Sequence, residues 1–508
     1  MSLEKDSLPE LPRGWVWTVF GEISIISAGG PAPQGKEYFE NGTYPFVRVR
    51  DMGNLGTNVY LNTTGDYIND KAVAKLRLFP KGSVLFTKSG MSILLNQRAI
   101  LGQDMYIVSH IGAAIPLGAI PSEYAYYWLK TIDFKLLTHA TTLPSLQLSK
   151  VQLIPVPLPP LSEQKGIVAR IEELFTKLDA GIEALKKMKV QLKRYRQAVL
   201  KHAFEGKLTA EWREKNKDKL EPASVLLERI AKEREKTAKG KAKKLPPLDT
   251  SNLPELPEDW EWTSGENVFW FITSGSRGWA KYYSKAGAMF IRMGNLDHDS
   301  INLDLTNMQR VDLPPTAEGK RTKVQPNDML ISITADVGMT ALVPDTIREA
   351  YVNQHVALAR AVPVVNRAFI AWYIASREGG QKQFLRLQRG ATKTGLGLDD
   401  IRNLILPIAS ILEQNKIVEE IERHFSIADQ VEQTIEQGLN QSDRLRQSIL
   451  KKAFEGKLVA QDPEDEPAEK LLERIKAEKG KAQAEQRGKR KARKKKDLKQ
   501  LELIANGE

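Results

Sequence analysis

From Ile167 to Val199 an apolar residue returns at every third or fourth position: Ile167, Ile171, Leu174, Leu178, Ile182, Leu185, Met188, Leu192, Tyr195 and Val199. That spacing is the seam of a helix packed lengthwise against another helix. A second seam runs through Ile417, Ile421, Phe425, Ala428, Ile435, Leu439, Leu445 and Ile449, with a gap near residues 430–433. Pro159–Pro160 precedes the first helix, with Ser162 as its expected N-cap, and Gly206 and Gly456 stand where the helices stop. A helix over residues 163–203 is about 60 Å long at ~1.5 Å per residue. A seam of that length is unstable bare in water, so the two helices are expected to pair, with Phe204 and Phe454 packing on the partner helix.

Ahead of each seam the pattern changes. Short alternating runs such as "YPFVRVRDM", "GSVLFTKS" and "DMLISIT", separated by turn residues, read as strands. Each copy adds one helical stretch, "SEYAYYWLKTIDFKLL" or "NRAFIAWYIASREGGQKQFLRL". The expected class is α+β.

The chain is written twice. "LPELPRGWVW" at Leu8 returns as "LPELPEDWEW" at Leu253, and "FVRVRDMGNL" at Phe46 returns as "FIRMGNL" at Phe290. "VQLIPVPLPPLSEQKGIVARIEELF" aligns with "IRNLILPIASILEQNKIVEEIERHF", "KHAFEGKLTA" with "KKAFEGKLVA", and "EPASVLLERI" with "EPAEKLLERI". The matches keep their order, so one large unit has been duplicated. The helical parts stay alike, whereas residues 54–81 and 296–323 differ heavily.

Composition adds less. The net charge is +12, but residues 479–499 hold +9 and residues 211–244 hold +5, which leaves the remainder at −2. Global basicity is therefore a property of a linker and a tail. The tail either adds phosphate affinity or solubilises the end. With no cysteine there are no disulfides or thiolate metal sites, which fits a reducing cytoplasm. No signal-peptide core or apolar span is expected.

The order "PFVRVRDMGN", "LFTKSG", "AILGQDMYIV", "LSKVQLIPVPLPPLSEQKGIVARIEELF" and "QAVLKHAFEGKL", followed by "MFIRMGNL", "LISITADVG", "AYVNQHVALARA" and "QSILKKAFEGKL", resembles the specificity subunit of type I restriction–modification systems. The resemblance covers residues 8–460. It departs at "ASILEQ", where Pro-Pro is usual, which leaves the start of the second helix open by a residue or two. It implies two pseudo-repeated α/β target-recognition domains separated by two long antiparallel conserved helices forming a coiled coil. Residues 1–160 and 251–410 are the expected recognition domains, and 161–210 and 411–460 the spacer helices. Residues 211–250 are a charged amphipathic segment and linker, and 461–508 a charged helical segment with the basic tail. The resemblance further implies a non-catalytic chain in which each domain reads half of a bipartite double-stranded DNA target. The helices set the gap and dock two methyltransferase subunits, which motor–nuclease subunits join. S-adenosylmethionine, ATP and Mg belong to those partners.

Candidate DNA contacts lie on loops beside the strands. In the first half they are Arg48, Arg50, Lys88, Ser89, Gly90, Gln97, Arg98, Thr141, Thr142, Ser145 and Gln147. In the second they are Arg292, Asn295, Thr334, Asp336, Gln354 with its neighbour His355, and Arg389, Thr392, Lys393 and Thr394 of "QRGATKTG". Arg pairs with guanine, Asn or Gln with adenine, and Lys, Ser and Thr mainly hold phosphates. Arg48 and Arg292 fit a structural ion pair equally well, and Asp51 fits a turn cap.

Two rival classes carry less. The chain has no Asn/Asp-Pro-Pro-aromatic motif, no Gly-x-Gly cofactor loop after a strand and no phosphate-binding P-loop, and its six histidines are scattered. A helical scaffold that ignores DNA fits the seams, but not one frame carrying two divergent globules.

Overall fold

The computed structural model describes residues 8–480 apart from 57, 139–143, 238–246, 252, 276, 315–318 and 388–394. Both seams are continuous helices of 44 residues, Leu161–Phe204 and Ile411–Phe454, each about 66 Å long at ~1.5 Å per residue. The first starts one residue ahead of Ser162, with Gln164 N–H donating to the Pro160 carbonyl over 2.9 Å. Ser162 therefore lies inside the first turn and is not the cap. Ser410 caps the second helix through its hydroxyl, which accepts from the Glu413 amide at 3.2 Å.

The chain forms two compact units, one from the residues up to Ala184 and from Gly438 onward, the other from Leu185–Gln437. This partition cuts across the repeats. Each unit owns one globule, the beginning of the helix that follows it, and the end of the other repeat's helix.

In the first unit an antiparallel-rich sheet runs Ser24–Ala28, Ile111–Pro116, Val84–Thr87, Arg98–Leu101, Tyr60–Leu61. A second sheet orders Asp66–Ile68, Tyr44–Val47, Met105–Ile107, Leu78–Phe79. Val16–Val19 pairs with Pro155–Leu158 just before the long helix, Trp17 opposite Pro157. The second unit repeats the plan: Phe269–Ser274, Val356–Ala361, Met329–Ser332, Thr340–Leu342 in one sheet, and Tyr283–Ser284, Gln309–Val311, Ala288–Ile291, Ala350–Val352 in the other. Glu261–Ser264 pairs with Ile405–Ile408, Trp262 opposite Pro407. The expected single helical stretch in each globule breaks in two. Helices Ser122–Thr131 and Arg367–Ala375 stop at Ile132 and Ser376, where the backbone turns extended.

Those two short helices are the sockets for the long ones. In the first unit Tyr127 packs edge-on to Phe175 at 5.8 Å, and Tyr124 and Trp128 clasp Phe454 at 5.4 and 5.0 Å. In the second, Trp372 meets Phe425 at 4.9 Å, and Phe369 and Tyr373 clasp Phe204 at 5.3 and 5.2 Å. Phe204 and Phe454 thus pack on globule aromatics, in the same core clusters as Ile417 and Ile421 or Ile167 and Ile171 of the partner helix. Each aromatic contact adds to an already large apolar burial.

The segments after the helices follow the same exchange. Ala223, Leu226 and Ile230 are buried in the second unit's core, while Ala468, Leu471, Leu472 and Ile475 are buried in the first's. Arg234 donates to the Glu266 carbonyl and carboxylate, and Lys476 sits 3.4 Å from Glu22.

Helix pairing holds within each unit. In the first, Arg446 pairs with Asp179 and lies 4.8 Å over the Phe175 ring. In the second, Lys189 bonds Glu436 at 2.9 Å, Arg196 pairs with Asp429, and Tyr195 meets His424 at 2.6 Å. Seven residues forward from Lys189 to Arg196 match seven back from Glu436 to Asp429, so the helices run antiparallel. Along the seams Ala428 and Ile435 are buried, whereas Met188 and Tyr195 remain 45% and 40% exposed, because two helices alone cover only part of each other.

Candidate nucleic-acid interface

Each unit ends an inner strand on a polar turn that meets two other segments. In the first, Val84–Thr87 runs into Lys88, Ser89 and Gly90. Lys88 N–H donates to the His110 carbonyl at 2.9 Å, and the Lys88 carbonyl accepts from Leu146 N–H at 2.8 Å. Ser89 bridges to Ser145, Gly90 N–H reaches the Pro144 carbonyl at 2.9 Å, and the Ser89 hydroxyl lies 2.5 Å from His110 Nδ1. Gly90 sits at φ 78°, a left-handed turn open to glycine. Lys88, Ser89 and Gly90 are half-exposed, and Ser145 and Gln147 are exposed. Five of the expected contacts therefore meet at one junction.

The second unit builds the same junction after Met329–Ser332. Ile333 N–H donates to the His355 carbonyl at 3.0 Å, Leu396 N–H to the Ile333 carbonyl at 2.9 Å, and Thr334 bridges to Gly395. The Thr334 hydroxyl lies 2.6 Å from His355 Nδ1, and the Gln354 amide nitrogen 3.0 Å from His355 Nε2. Asp336 is exposed and pairs with His298 at 2.8 Å. A carboxylate there suits a base amino group and repels a phosphate. Thr141, Thr142, Arg389, Thr392, Lys393 and Thr394 lie outside the described residues.

The arginines at the strand ends divide. Tyr44–Val47 and Ala288–Ile291 lead into Arg48 and Arg292, whose amides donate to Asp51 at 2.7 Å and to Asn295 at 2.9 Å. Asp51 is thus the turn cap, also holding the Thr64 hydroxyl at 2.9 Å and the Gly65 amide at 3.2 Å. Arg48 and Arg50 both pair with Asp66, and Arg48 stands 5.6 Å over the rings of Phe39 and Phe46. Arg48 is therefore held in the fold, while Arg50 keeps 60% of its side chain exposed. Arg292 is half-buried and has no carboxylate partner among the described residues.

Two expected contacts are enclosed. Asn295 is 3% exposed, its amide donating to the Asp304 carbonyl at 3.0 Å while its oxygen closes the turn. Arg98 is 3% exposed; its guanidinium lies 3.8 Å over Phe134 and donates to the Gln97 carbonyl at 2.8 Å and to Asn96 at 2.6 Å. Burial pulls that guanidinium down to about 9. Both side chains are structural, because neither has surface to offer DNA. Gln97 next to Arg98 is half-buried.

His110 was absent from the expected set although it sits where His355 does. The sequence signal was the shared distance of each histidine from its strand, Ile111–Pro116 or Val356–Ala361. Among the described residues no cluster of His, Asp and Glu could hold a metal, and no helix is long and apolar enough to cross a membrane.

Residues 12–193 match the family described as type I restriction modification DNA specificity domain. Along its length the chain is 30% identical to the type I restriction enzyme EcoBI specificity subunit of Escherichia coli, covering 96% of this chain and 97% of that protein. It is 24% identical to the EcoKI specificity subunit of Escherichia coli strain K12, covering 96% and 100%. Among solved structures, a chain from work on complex assembly and conformational transition of the type I R-M system superposes with a TM-score of 0.65 at 17% identity, over 89% of this chain and all of that one. The HsdS subunit of Thermoanaerobacter tengcongensis gives 0.51 at 18% identity, over 89% and 99%.

Proposed function

Since the chain belongs to the type I restriction–modification specificity-subunit family, we propose that it is the DNA-reading member of such a complex, each unit recognising one half of a bipartite duplex target. The observation that carries this is the pair of matched junctions: one backbone frame in both units, with Lys88, Gly90 and Ser145 on one and Ile333, Ala335 and Gly395 on the other. One frame with two faces suits two different half-sites. Base edges are read by side chains such as Gln147, Arg292, Asp336 and Gln354, and Lys88, Arg50 and the hydroxyls hold phosphates. We propose the same role for Thr141, Thr142, Arg389, Thr392, Lys393 and Thr394 from their residue types alone.

The two 44-residue helices set the spacing of the half-sites, which on one face of DNA stand about 34 Å, one helical turn, apart. Their half-exposed middles, with Met188, Val190, Ile427 and Val431 at the surface, offer apolar area to two methyltransferase subunits. Those bind S-adenosylmethionine, and motor–nuclease subunits supply ATP and Mg chemistry in the cytoplasm. This chain contributes binding and no bond-making group.

Long-read sequencing of host DNA, with and without the intact chain, tests the reading. The expected result is a methylated-adenine motif in two unlike halves around a fixed gap, lost when the chain is deleted. A motif unaffected by deletion overturns it and leaves a scaffold that ignores DNA.

A further inference from the structure

We propose that the Ser89 and Thr334 hydroxyls are phosphate donors shared by both half-sites, and that His110 and His355 are the positioning residues that aim them. The inference rests on the DNA-reading function above. Around these four residues the two units differ at Ser145 against Gly395, Lys88 against Ile333, Gly90 against Ala335 and Ser109 against Gln354, and agree at the buried Leu146 and Leu396. What both keep is a hydroxyl 2.5 or 2.6 Å from an imidazole Nδ1 at the root of the variable loop. A pair held constant while its surroundings change suits the one part of a target that carries no sequence, the sugar–phosphate backbone.

The hydrogen-bond directions agree with that use. In the second unit the Gln354 amide N–H donates to His355 Nε2 at 3.0 Å. That puts the ring hydrogen on Nδ1, which donates to the Thr334 oxygen. The Thr334 hydroxyl hydrogen is then released to donate outward, and a hydroxyl whose oxygen already accepts is a better-aimed donor. Ser89 and His110 repeat the geometry in the first unit without the glutamine, and Ser89 and Thr334 are both half-exposed.

The test uses the full chain assembled with its methyltransferase and duplexes bearing the mapped target, a scrambled target, or single neutral methylphosphonates. Ser89→Ala and Thr334→Val are each expected to weaken both duplexes by the same roughly tenfold factor, as for one hydrogen bond to a charged oxygen, with thermal unfolding unchanged. For each variant one methylphosphonate position that weakens the wild type has no further effect. His110→Phe and His355→Phe give part of the same loss, and none when added to Ser89→Ala or Thr334→Val. Wild-type affinity in either hydroxyl variant, a changed base preference, or histidine effects that persist in the hydroxyl variants overturn the proposal while leaving target reading intact. A wild-type complex that binds target and scrambled duplex alike overturns the functional reading itself, and this inference with it.

Discussion

The Trp260 indole N–H donates to the Glu413 carboxylate over 2.9 Å, locking the entry of the second globule onto the first turn of the second long helix. Trp15 does the same to Glu163 at 2.8 Å. The two sites differ in what else reaches the carboxylate. Glu413 also accepts from Thr209 at 2.7 Å and Arg213 at 2.8 Å. The matching positions in the second copy are Val459 and Pro463, which have no side-chain donor.

Burial pushes the Glu163 carboxyl up, the Trp15 hydrogen bond offsetting part of the shift. A carboxyl raised in the folded state binds its proton more tightly there than when unfolded. Its stabilising effect is complete below the ordinary glutamate value and is lost as pH rises through the folded value. Glu163→Gln is therefore expected to raise the melting temperature of the first unit near neutrality, with the gain shrinking on acidification toward the ordinary glutamate range. Glu413→Gln instead strands Arg213 and is expected to cost about 3 kcal/mol. Calorimetry across pH distinguishes the two.

Phe204 belongs to the first repeat yet sits in the second unit's core. Phe204→Ala is expected to cost about 3–5 kcal/mol and to loosen the second globule. Hydrogen exchange should accelerate in Arg367–Ala375, with Ser122–Thr131 unchanged; Phe454→Ala should give the mirror pattern.

Gly456 has φ 69°, and a Cβ there would stand 2.3 Å from Pro12 Cγ. Gly456→Ala is expected to cost about 2 kcal/mol or more from the left-handed backbone and the contact together. Adding Pro12→Ala should recover the contact part alone, measured as unfolding free energy.

Seven residues inserted in register into both long helices lengthen each by about 10 Å at ~1.5 Å per residue. The methylation motif is expected to keep both halves and widen its gap. Unchanged spacing in the mapped motif would refute the spacer role.

Arg98→Met keeps volume over Phe134 and removes a buried cation, a change that is often neutral or stabilising. Stability is expected within about 1 kcal/mol of wild type, and the DNA motif unchanged. A shifted motif would return Arg98 to the interface.

The duplication, the two seams and the strand-rich globules were legible in the order of residues alone, because periodicity and repetition are local properties that survive without coordinates. Partnership was decided only in three dimensions. Each Ala-Phe-x-Gly-Lys-Leu segment inserts into the globule of the opposite repeat, since the helices run antiparallel and each ends beside the globule it did not come from. Met-Gly-Asn-Leu occurs in both copies, yet the turn cap is Asp51, before the motif, in one and Asn295, within it, in the other. Register depends on how a strand end meets its neighbour, which a word match does not carry. Likewise Arg98 and Arg50 both read as surface cations. Only the packing of Phe134 and the position of Asp66 separated the enclosed one from the exposed one, because burial is set by residues distant in the chain.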